Sequence, residues 1–318
     1  MINKELAIGV DIGGTNTKFG IVTFDGKILE EGRLKTTDFT DFNEFVNALF
    51  EMLSPIIKKF ETTHKIKGIG IGAPDANFFT GNIEHAPNLH WKGIVPVAKI
   101  VSKKFGIPCT LNNDAKAAAL GEHKYGAAKG LKDFIMITLG TGVGSGIFVN
   151  GELLYGDKGN AGELGHTVVR YNGRKHWSTG LKGTLEAYCS ATGITLSALE
   201  MRKKSKLKTL LNDYKKKEIN SQIVYECAKK GDKIAQEVFE FTGQILGEAL
   251  ANFVMFSSPE AIILFGGVTQ AGDMLMRPAK KHLEDNLLTA FKGQVKLLFS
   301  SLKADDAAIL GASTLVWG

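Results

Sequence analysis

Apolar runs separated by turn residues predict an alternation of strands and helices in the first third of the chain. In residues 41–61 the apolar side chains recur on one face, and Asp41 precedes them, which predicts a capped helix. The predicted strands are residues 6–10, 18–24, 27–35 and 66–71 with a short one ending at Leu111, and the predicted helices are 41–61, about 95–105 and 115–125. Such an alternation is typical of an α/β sheet with helices on its faces.

A second round of the pattern begins roughly 130 residues after the first. A strand over 133–139 leads into a glycine-rich turn, as the first strand does, and helices dominate 184–257. This self-similarity predicts an internal duplication in which each half presents one glycine turn. We therefore expect two α/β domains, residues 1–114 and residues 115–301, with a C-terminal helix at about 302–318 that returns to the first domain.

Three glycine-rich turns each follow an apolar strand and are candidate sites for a ligand close to the main chain. They are Asp11 to Lys18 around Gly13-Gly14, Gly140 to Gly146, and Gly266-Gly267. Asp11 ends its strand where a carboxylate can hold a hydrated metal ion, and Thr15, Asn16 and the turn amides suit phosphate oxygens. Neither a GxxxxGK[ST] loop nor a clean GxGxxG opening a helix occurs. Two hairpin turns that face one another would instead hold a polyphosphate, with the third turn against a base or ribose.

In this order, the turns resemble the two phosphate motifs and the adenosine motif of the actin/hexokinase/Hsp70 ATPase superfamily. The matching segments are Asp11-Ile-Gly-Gly-Thr with Lys18, Leu139-Gly-Thr-Gly-Val-Gly-Ser-Gly, and Leu264-Phe-Gly-Gly. Within the superfamily, Gly162-Glu-Leu-Gly-His166 and Leu185-Glu186 resemble the ROK family of sugar kinases and repressors, over essentially the whole chain. The resemblance implies a two-domain actin-like (ribonuclease H-like) fold, with duplicated mixed sheets flanked by helices and the active site in the interdomain cleft.

The resemblance also implies ATP and Mg²⁺ as cofactors and a role for each matching residue. The ATP-binding set is Asp11, Gly13, Gly14, Thr15, Asn16, Lys18, Gly140, Thr141, Gly142, Gly266 and Gly267, with Asp11 on the magnesium ion through water. The sugar-binding set is Gly72, Asn88, Asn113, Asp114, Glu163, His166 and Glu186. Asp114 would be the general base for the sugar hydroxyl. These residue types suit the chemistry, because phosphoryl transfer needs charge neutralisation and a proton acceptor, while fixed carboxylates and amides select sugar hydroxyls.

Several of these polar residues also have a purely structural interpretation. Asp114 precedes the predicted helix 115–125 and could cap it, a role compatible with its anionic form. Taken alone, Glu163 and Glu186 are typical surface carboxylates, His166 is typical of a structural histidine, and Asn88 follows a proline in a turn. The ordered set of motifs favours the functional interpretation of all of them.

One segment departs from the family pattern. Many ROK proteins bind a structural zinc ion through a histidine beside the sugar-binding segment and a CxCGxxGC run before the last glutamate. Aligned on Glu186, the three cysteine positions hold Trp177, Thr179 and Thr184. Neither tryptophan nor neutral threonine is a zinc ligand of this kind, and His166 with His176 cannot complete a tetrahedral site. We therefore expect no structural zinc, so that packing of Trp177 or another contact must hold loop 166–186.

Composition and charge limit the cellular location and the kinds of partner that we expect. The chain has 318 residues, of which 44% are hydrophobic and 23% charged, and it has no apolar run of membrane-spanning length. The first strand begins too early for a signal peptide, and the three cysteines form no disulfide framework, so a cytoplasmic protein without a membrane partner is expected. The net charge of +6 comes largely from 202–206 and 215–217. Since only Tyr214 interleaves with these lysines, we interpret them as solvated helix faces and expect no nucleic-acid partner.

Three functions remain in competition. The first is an ATP-dependent hexokinase or glucokinase of carbohydrate metabolism and glycolysis, converting glucose to glucose 6-phosphate with Asp114 as base. Mannose, fructose, allose, N-acetylmannosamine and N-acetylglucosamine stay open as substrates, and polyphosphate stays open as donor. The second is a ROK-type transcription regulator, whose DNA-binding segment would precede the first turn, where this sequence leaves no room. The third is a nucleotide-binding protein without transfer activity, against which the sugar-binding set argues. The resemblance also implies a homodimer, without locating its interface.

Overall fold

The structure, a computed structural model, describes residues 5–317, apart from the side chains of Ala304 and Asp305. Within that range the chain divides into two compact units. Unit 1 contains the chain up to Leu131, Glu152–Ala161 and the chain from Ser300 onwards, and unit 2 contains Lys132–Gly151 and Gly162–Phe299. Among residues 5–317, no helix combines the length and the apolar character that crossing a bilayer requires.

Strands and helices alternate through the chain, as the hydrophobic pattern predicts. Within the described residues the strands are β1 (Glu5–Ile12), β2 (Asn16–Thr23), β3 (Ile28–Lys35), β4 (Lys65–Ala73), β5 (Ala76–Asn77), β6 (Asn82–Glu84), β7 (Ile94–Val95), β8 (Cys109–Asn113), β9 (Phe134–Leu139), β10 (Val143–Val149), β11 (Glu152–Leu153), β12 (Ala261–Phe265) and β13 (Lys296–Phe299). The α-helices there are α1 (Phe42–Glu61), α2 (Val97–Phe105), α3 (Asp114–Tyr125), α4 (Glu186–Cys189), α5 (Ala191–Lys204), α6 (Ser221–Lys229), α7 (Lys233–Ser257), α8 (Asp273–Asp285) and α9 (Ala304–Thr314).

Unit 1 is built on a mixed sheet with the strand order β3-β2-β1-β4-β8. The central strand β1 pairs antiparallel with β2 and parallel with β4, which pairs parallel with β8. Buried side chains of α1, such as Phe45 and Leu49, share one hydrophobic core with the sheet. The predicted cap of α1 is confirmed, because the Asp41 carboxylate accepts hydrogen bonds from the backbone N–H groups of Asn43 and Glu44 at 2.8 and 3.1 Å.

A row of three glycines lets α9 lie directly on this sheet. Gly9 of β1 is paired with Gly20 of β2 and with Gly70 of β4. A Cβ atom at Gly9 would lie 2.1 Å from the carbonyl oxygen of Ile309, and one at Gly70 would lie 1.9 Å from that of Ala312. Any larger residue at these positions would therefore push α9 off the sheet, which explains glycine inside buried strands.

The division between the units differs from the boundary that we predicted at residue 114. Helix α3, which we placed in the second domain, groups with unit 1, and so do residues 152–161. The physical reason for α3 is a close helix–helix contact: a Cβ atom at Gly121 would lie 2.9 Å from the Cα atom of Gly311 in α9. The chain from β8 into α3 therefore stays on the first sheet before it leaves unit 1.

Unit 2 repeats the strand succession of unit 1. Its strands follow the order β10-β9-β12-β13, in which β10 is antiparallel to β9 while β12 is parallel to both β9 and β13. This matches β2-β1-β4-β8, so the predicted duplication is visible in the sheets. The long helix α7 shares a core with β9 and β12. Helix α8, which was not predicted from the sequence, packs on α7 where a Cβ atom at Gly247 would lie 2.4 Å from the carbonyl oxygen of Ala279.

Candidate active-site residues

The first glycine turn joins β1 to β2. The backbone N–H of Gly13 donates to the carbonyl oxygen of Asn16 at 3.0 Å, which closes the turn. A Cβ atom at Gly14 would lie 2.8 Å from the carbonyl oxygen of Asn88. Glycine is therefore required where the predicted phosphate turn meets Asn88, a member of the predicted sugar-binding set.

Strand register brings further candidates to the same edge of the sheet. Asp11 on β1 is paired with Gly72 on β4, and Gly72 is paired with Asn112 on β8. Because these strands are parallel, their carboxyl ends meet at one edge. A Cβ atom at Gly72 would lie 3.6 Å from the Cα atom of Asp114 and 3.8 Å from Oδ1 of Asp11. Glycine at position 72 thus leaves the space between the two aspartates open.

Asn113, not Asp114, caps α3. Its side-chain oxygen accepts hydrogen bonds from the N–H groups of Ala115 and Lys116 at 3.0 and 3.2 Å. The structural role that we considered for Asp114 therefore falls to its neighbour. Asp114 is the first residue of the helix, and its Oδ1 accepts a hydrogen bond from the Ala115 N–H at 2.8 Å. With its oxygen used by the helix, Asn113 has its amide N–H groups left for a ligand.

The two aspartates have raised pKa values. Burial, reinforced by the charge of Asp114, raises the pKa of Asp11 from 3.8 to about 7, against the opposing effect of Lys18. Burial also raises the pKa of Asp114, although the Ala115 N–H and the charge of Lys116 act in the opposite direction. By surface area Asp114 is an exposed residue. A ligand can therefore reach a carboxylate whose pKa is raised, a combination typical of functional sites.

Three further polar residues, Asn77, Asn112 and Lys116, were not predicted as binding residues, and they hold the 152–161 segment against the rest of unit 1. The Asn112 amide donates to the hydroxyl of Tyr155 at 3.0 Å, and the Asn77 amide donates to the carbonyl of Lys158 at 3.0 Å. The ammonium of Lys116, only 3% exposed, donates to the carbonyl of Gly159 at 2.9 Å. A lysine within an alanine-rich buried helix was the available sequence signal for this anchoring.

The second glycine turn, in unit 2, contacts Glu186 directly. The N–H of Gly140 donates to the carbonyl of Gly142 at 3.0 Å, and the N–H of Val143 donates to Oε2 of Glu186 at 2.7 Å. A Cβ atom at Gly142 would lie 2.6 Å from the same carboxylate oxygen. The carbonyl of Thr141 accepts a hydrogen bond from Thr192. The structure thus joins a predicted ATP-binding turn to a predicted sugar-binding carboxylate within one unit.

The Gly162–His166 segment lies on the strand that leaves this turn. The hydroxyl of Ser145 donates to the carbonyl of Gly162. A Cβ atom at Gly165 would lie 2.1 Å from the carbonyl oxygen of Val143, so only glycine fits there. The backbone of His166 is bonded to Glu163, whose carbonyl accepts its N–H at 3.1 Å. Packing on β10 therefore fixes the backbone of Glu163 and His166 near the second turn.

The side chain of His166 has one buried polar atom that is not satisfied by a hydrogen bond from the described part of the protein. Its Nδ1 atom is buried and has no hydrogen-bond partner within residues 5–317. Its ring is edge-on to that of His176, with ring centroids 5.8 Å apart. Since a buried polar atom without a partner costs about 1–3 kcal/mol, Nδ1 is suited to receive a ligand hydroxyl.

The third turn lies beside the second at the end of the same sheet. Gly266 has a φ of 107°, a conformation that favours glycine, and a Cβ atom there would lie 2.6 Å from the carbonyl oxygen of Leu139. A Cβ atom at Gly140 or Gly267 would meet no described atom within 4 Å. The space next to both turns is therefore open to a ligand.

Each unit thus contains one predicted phosphate turn and part of the predicted sugar-binding set. Unit 1 contains Asp11, Gly13, Gly14, Thr15, Asn16, Lys18, Gly72, Asn88, Asn113 and Asp114, and unit 2 contains Gly140, Thr141, Gly142, Glu163, His166, Glu186, Gly266 and Gly267. In the described part of the chain, no three His, Cys, Asp or Glu side chains are grouped so as to hold a metal ion.

Known proteins are similar to this chain over almost its whole length. A glucokinase from Halalkalibacterium halodurans is 36% identical over 315 residues, which cover 97% of this chain and 94% of the relative. A xylose repressor from Caldicellulosiruptor bescii is 28% identical over 99% of this chain and 79% of its own. The crystal structure of a ROK family glucokinase from Streptomyces griseus in complex with glucose and AMPPNP is 30% identical, with a TM-score of 0.80 over 98% of each chain.

The family assignment follows from the extent of these matches together with the fold. The paired sheets, each ending in a glycine turn, are those of the actin-like ATPase fold that solved ROK sugar kinases have. The sequence model of the ROK family matches residues 7–318, which include both turns and the Gly162–His166 segment, so this chain is a member of the ROK family.

Proposed function

We propose that this protein is a sugar kinase that transfers the γ-phosphoryl group of ATP to a hexose, with glucose as the preferred substrate. The observation that carries the proposal is the pair Asp11 and Asp114, whose pKa values are raised and which both lie next to Gly72 at the end of the strands that meet the first glycine turn. Similarity to glucokinases supports the choice of substrate. Two nearby carboxylates in poorly hydrated surroundings suit one proton acceptor and one ligand for a hydrated cation.

Asp114 is assigned the role of general base. Its carboxylate takes the proton of the sugar hydroxyl, at C6 in glucose, as the hydroxyl oxygen attacks the γ-phosphorus and the bond to the β-phosphate oxygen breaks. Such a base must reach the hydroxyl and have a pKa raised towards neutrality. Two observations support Asp114 in this role, since the residue is exposed and burial raises the pKa of its carboxyl group.

Asp11 is assigned to the magnesium ion that accompanies ATP. Magnesium binds proteins through one or two carboxylates, water molecules and substrate phosphates, and it neutralises charge that develops on the transferred group. The residues fit this ion: Asp11 is a carboxylate with a like-charged neighbour, so a nearby cation stabilises its ionised form. Asp11 would hold the ion through water, and the ion would supply charge neutralisation for the transferred group.

The proposed site uses the glycine turns of the chain for the nucleotide. In it the amides of Gly13-Gly14 and Gly140–Gly142 hold the phosphates, and Gly266-Gly267 borders the adenosine. The sugar is held by Asn88, Asn113, Glu163, His166 and Glu186. The orphan Nδ1 of His166 and the two oxygens of Glu186 supply acceptors for sugar hydroxyls.

A sugar panel tests the proposal directly. Purified protein with ATP and Mg²⁺ is assayed for ADP release in the presence of glucose, mannose, fructose, allose, N-acetylmannosamine or N-acetylglucosamine. We expect sugar-dependent release with the highest kcat/KM for glucose, and polyphosphate serving poorly as donor. No sugar-dependent release would reject the kinase, whereas ATP turnover that ignores the sugar would indicate an ATPase. Light scattering of the same sample tests the proposed homodimer.

A further inference from the structure

Arg174 uses every hydrogen bond that its side chain can donate. Its five guanidinium N–H groups meet five acceptors, the nearest of which is the carbonyl of Ala187 at 2.6 Å. The remaining acceptors are the carbonyl of Gly193 at 3.1 Å, the hydroxyl of Ser197 at 3.0 Å, and the two carboxylate oxygens of Glu200 at 3.1 and 2.9 Å. This bidentate, nearly buried arrangement fastens the loop that contains Arg174 to α4 and α5.

His176 lies two residues further on and is bonded through both ring nitrogens. Its Nε2 is 2.5 Å from Oε1 of Glu186, and its Nδ1 receives the backbone N–H groups of Ser178 and Thr179 at 3.3 and 3.2 Å. Because a backbone N–H can only donate, Nδ1 is an acceptor without a proton. The ring proton therefore lies on Nε2 and is donated to Glu186. This fixes the tautomer of His176.

The positions that carry zinc ligands in many relatives do not fit a metal here. The hydroxyl of Thr179 accepts the N–H of Leu181, and that of Thr184 accepts the N–H of Ala187. Trp177 stacks on the His176 ring with centroids 4.1 Å apart. With both nitrogens of His176 in use, the segment does not supply the four donors of a structural zinc site.

We propose that the Arg174–His176 clasp, meaning these two side chains and their hydrogen bonds, organises loop 166–186 without a metal ion, and that His176 is a positioning residue for the Glu186 carboxylate. This inference rests on the proposed function, in which Glu186 binds the sugar. Arg174 holds the base of the loop on α5, and His176 then orients one carboxylate oxygen while Val143 orients the other.

Such positioning leaves Glu186 able to bind a substrate. Each carboxylate oxygen has two lone pairs, and each receives one N–H from the protein. The Glu186 side chain remains 13% exposed. One acceptor site per oxygen therefore stays available for sugar hydroxyls, in an orientation that the clasp has already set. Preset acceptors of this kind reduce the cost of ordering the site on binding.

Two substitutions separate positioning from general stability. His176→Gln keeps an N–H donor near Glu186, whereas His176→Leu removes it at similar volume. We expect the leucine variant to raise the KM for glucose about 10-fold or more, with the KM for ATP changed less than about 2-fold, and the glutamine variant to restore most of the affinity. Equal kinetics for the two variants, or an unchanged KM in the leucine variant, would overturn the positioning role. His64→Gln, at a partly exposed histidine in unit 1, is the matched control.

Two measurements test the clasp independently of kinase activity. Nitrogen NMR of histidine-labelled protein should show a neutral ring protonated on Nε2 that disappears in His176→Gln; a ring protonated on Nδ1 would contradict the assignment. Metal analysis of protein purified without chelator should find no stoichiometric zinc, and a chelator should leave Tm unchanged. Zinc near one ion per chain would overturn the proposal. If wild-type protein phosphorylates no sugar, the proposed function fails, while these two measurements still decide the clasp.

Discussion

Each half of the duplicated fold places a carboxylate against its glycine turn, but the two carboxylates are held in opposite ways. Asp11 in unit 1 lies near a second carboxylate, Asp114, and burial with this like charge raises its pKa to about 7. Glu186 in unit 2 receives an N–H from Val143 on one oxygen and one from His176 on the other. The like-charged pair in unit 1 is therefore suited to accept a proton or to bind a cation. The carboxylate in unit 2, held by two N–H groups, is suited to accept hydrogen bonds from a ligand.

The contrast arises although the two sheets have the same strand order. In unit 1 the strand at the edge, β8, leads straight into Asn113 and Asp114, so a helix start delivers the second carboxylate to the turn. In unit 2 the acceptor comes from the short helix α4, at the end of a loop that the Arg174–His176 clasp holds. The two sheets have the same strand order, so the difference between the carboxylates comes from the segments that follow the strands.

The largest effect is expected from a substitution in the pair of Asp11 and Asp114. Asp114→Asn removes the proton acceptor but keeps an oxygen for the Ala115 N–H, so the helix start should survive. We expect kcat to fall by about 10²–10⁴-fold with little change in folding, as for the loss of other general bases. Steady-state kinetics and circular dichroism measure the two properties. Asp273→Asn, at the first residue of α8, is the matched control for an aspartate at a helix start.

The pH dependence sharpens the same point. The base works only when it is ionised, and the pKa of Asp114 is raised by burial. Activity should therefore fall as the pH drops through this raised pKa, at a higher pH than for an ordinary aspartate. A pH profile of kcat/KM between about pH 4 and 9 measures this acid limb. A profile that stays flat down to pH 4 would remove Asp114 from the role of base.

The next effect disturbs the fixed acceptor. Gly142→Ala would place a methyl group 2.6 Å from Oε2 of Glu186, so the carboxylate must move away from the Val143 N–H. We expect the free energy of unfolding to fall by about 1–3 kcal/mol and the KM for glucose to rise. Gly267→Ala, which meets no described atom within 4 Å, is the stability control. Equal stability of the two variants in thermal unfolding would contradict the prediction.

A matched pair of substitutions then tests whether neutralising the two carboxylates changes the stability of the protein in opposite directions. Asp11→Asn removes a carboxyl group that the folded protein ionises with difficulty, because its pKa is raised from 3.8 to about 7. Between these values the folded state binds the proton more tightly than the unfolded chain does, so wild-type stability falls as the pH rises through this range. The variant should be more stable than wild type by about 1–2 kcal/mol at pH 8, with the gain vanishing towards pH 4.

Glu186→Gln makes the same chemical change in unit 2, where we expect the opposite result. A glutamine has one acceptor oxygen and one donor NH₂, so it cannot accept both the Val143 N–H and the His176 N–H. The variant should lose about 1–2 kcal/mol through the unpaired donor. Thermal unfolding of both variants at pH 8 decides the comparison. Shifts of the same sign would show that the two sites are not held in opposite ways.

The sequence predicted those parts of the molecule whose causes are local. Asp41 before an apolar face predicted a cap that the structure confirms, and the glycine turns were visible because glycine pairs follow apolar strands. Between Asn113 and Asp114 the sequence could not choose the cap of α3, because both residue types suit that position. The fold class is confirmed because the order of motifs, and not one motif, carried it.

What the sequence could not show depends on contacts between distant segments. The row Gly20, Gly9 and Gly70 gains its meaning only from strand register, which brings three separate strands under α9. In the sequence, His176 was considered only as a residue that cannot complete a zinc site with His166, because nothing local reveals that its Nε2 meets Glu186. Such contacts are decided by tertiary packing, so a residue's type indicates what it can bond to but not which partner it meets.

The smallest effect is expected from removing exposed positive charge in unit 2. This change tests whether the Glu186 carboxylate is held by its direct hydrogen bonds or by the overall charge of the unit. The basic run 202–206 lies in unit 2, and Lys203, Lys204 and Lys206 are exposed. If long-range positive charge, rather than two direct N–H groups, stabilised the ionised Glu186, replacing these lysines with glutamine would weaken sugar binding. Since exposed charges are screened within about 10 Å at 0.1 M salt, we expect the triple variant to change stability by less than about 0.5 kcal/mol. The KM for glucose should stay within about 2-fold in assays at low and high salt, because the N–H groups of Val143 and His176 are unaffected.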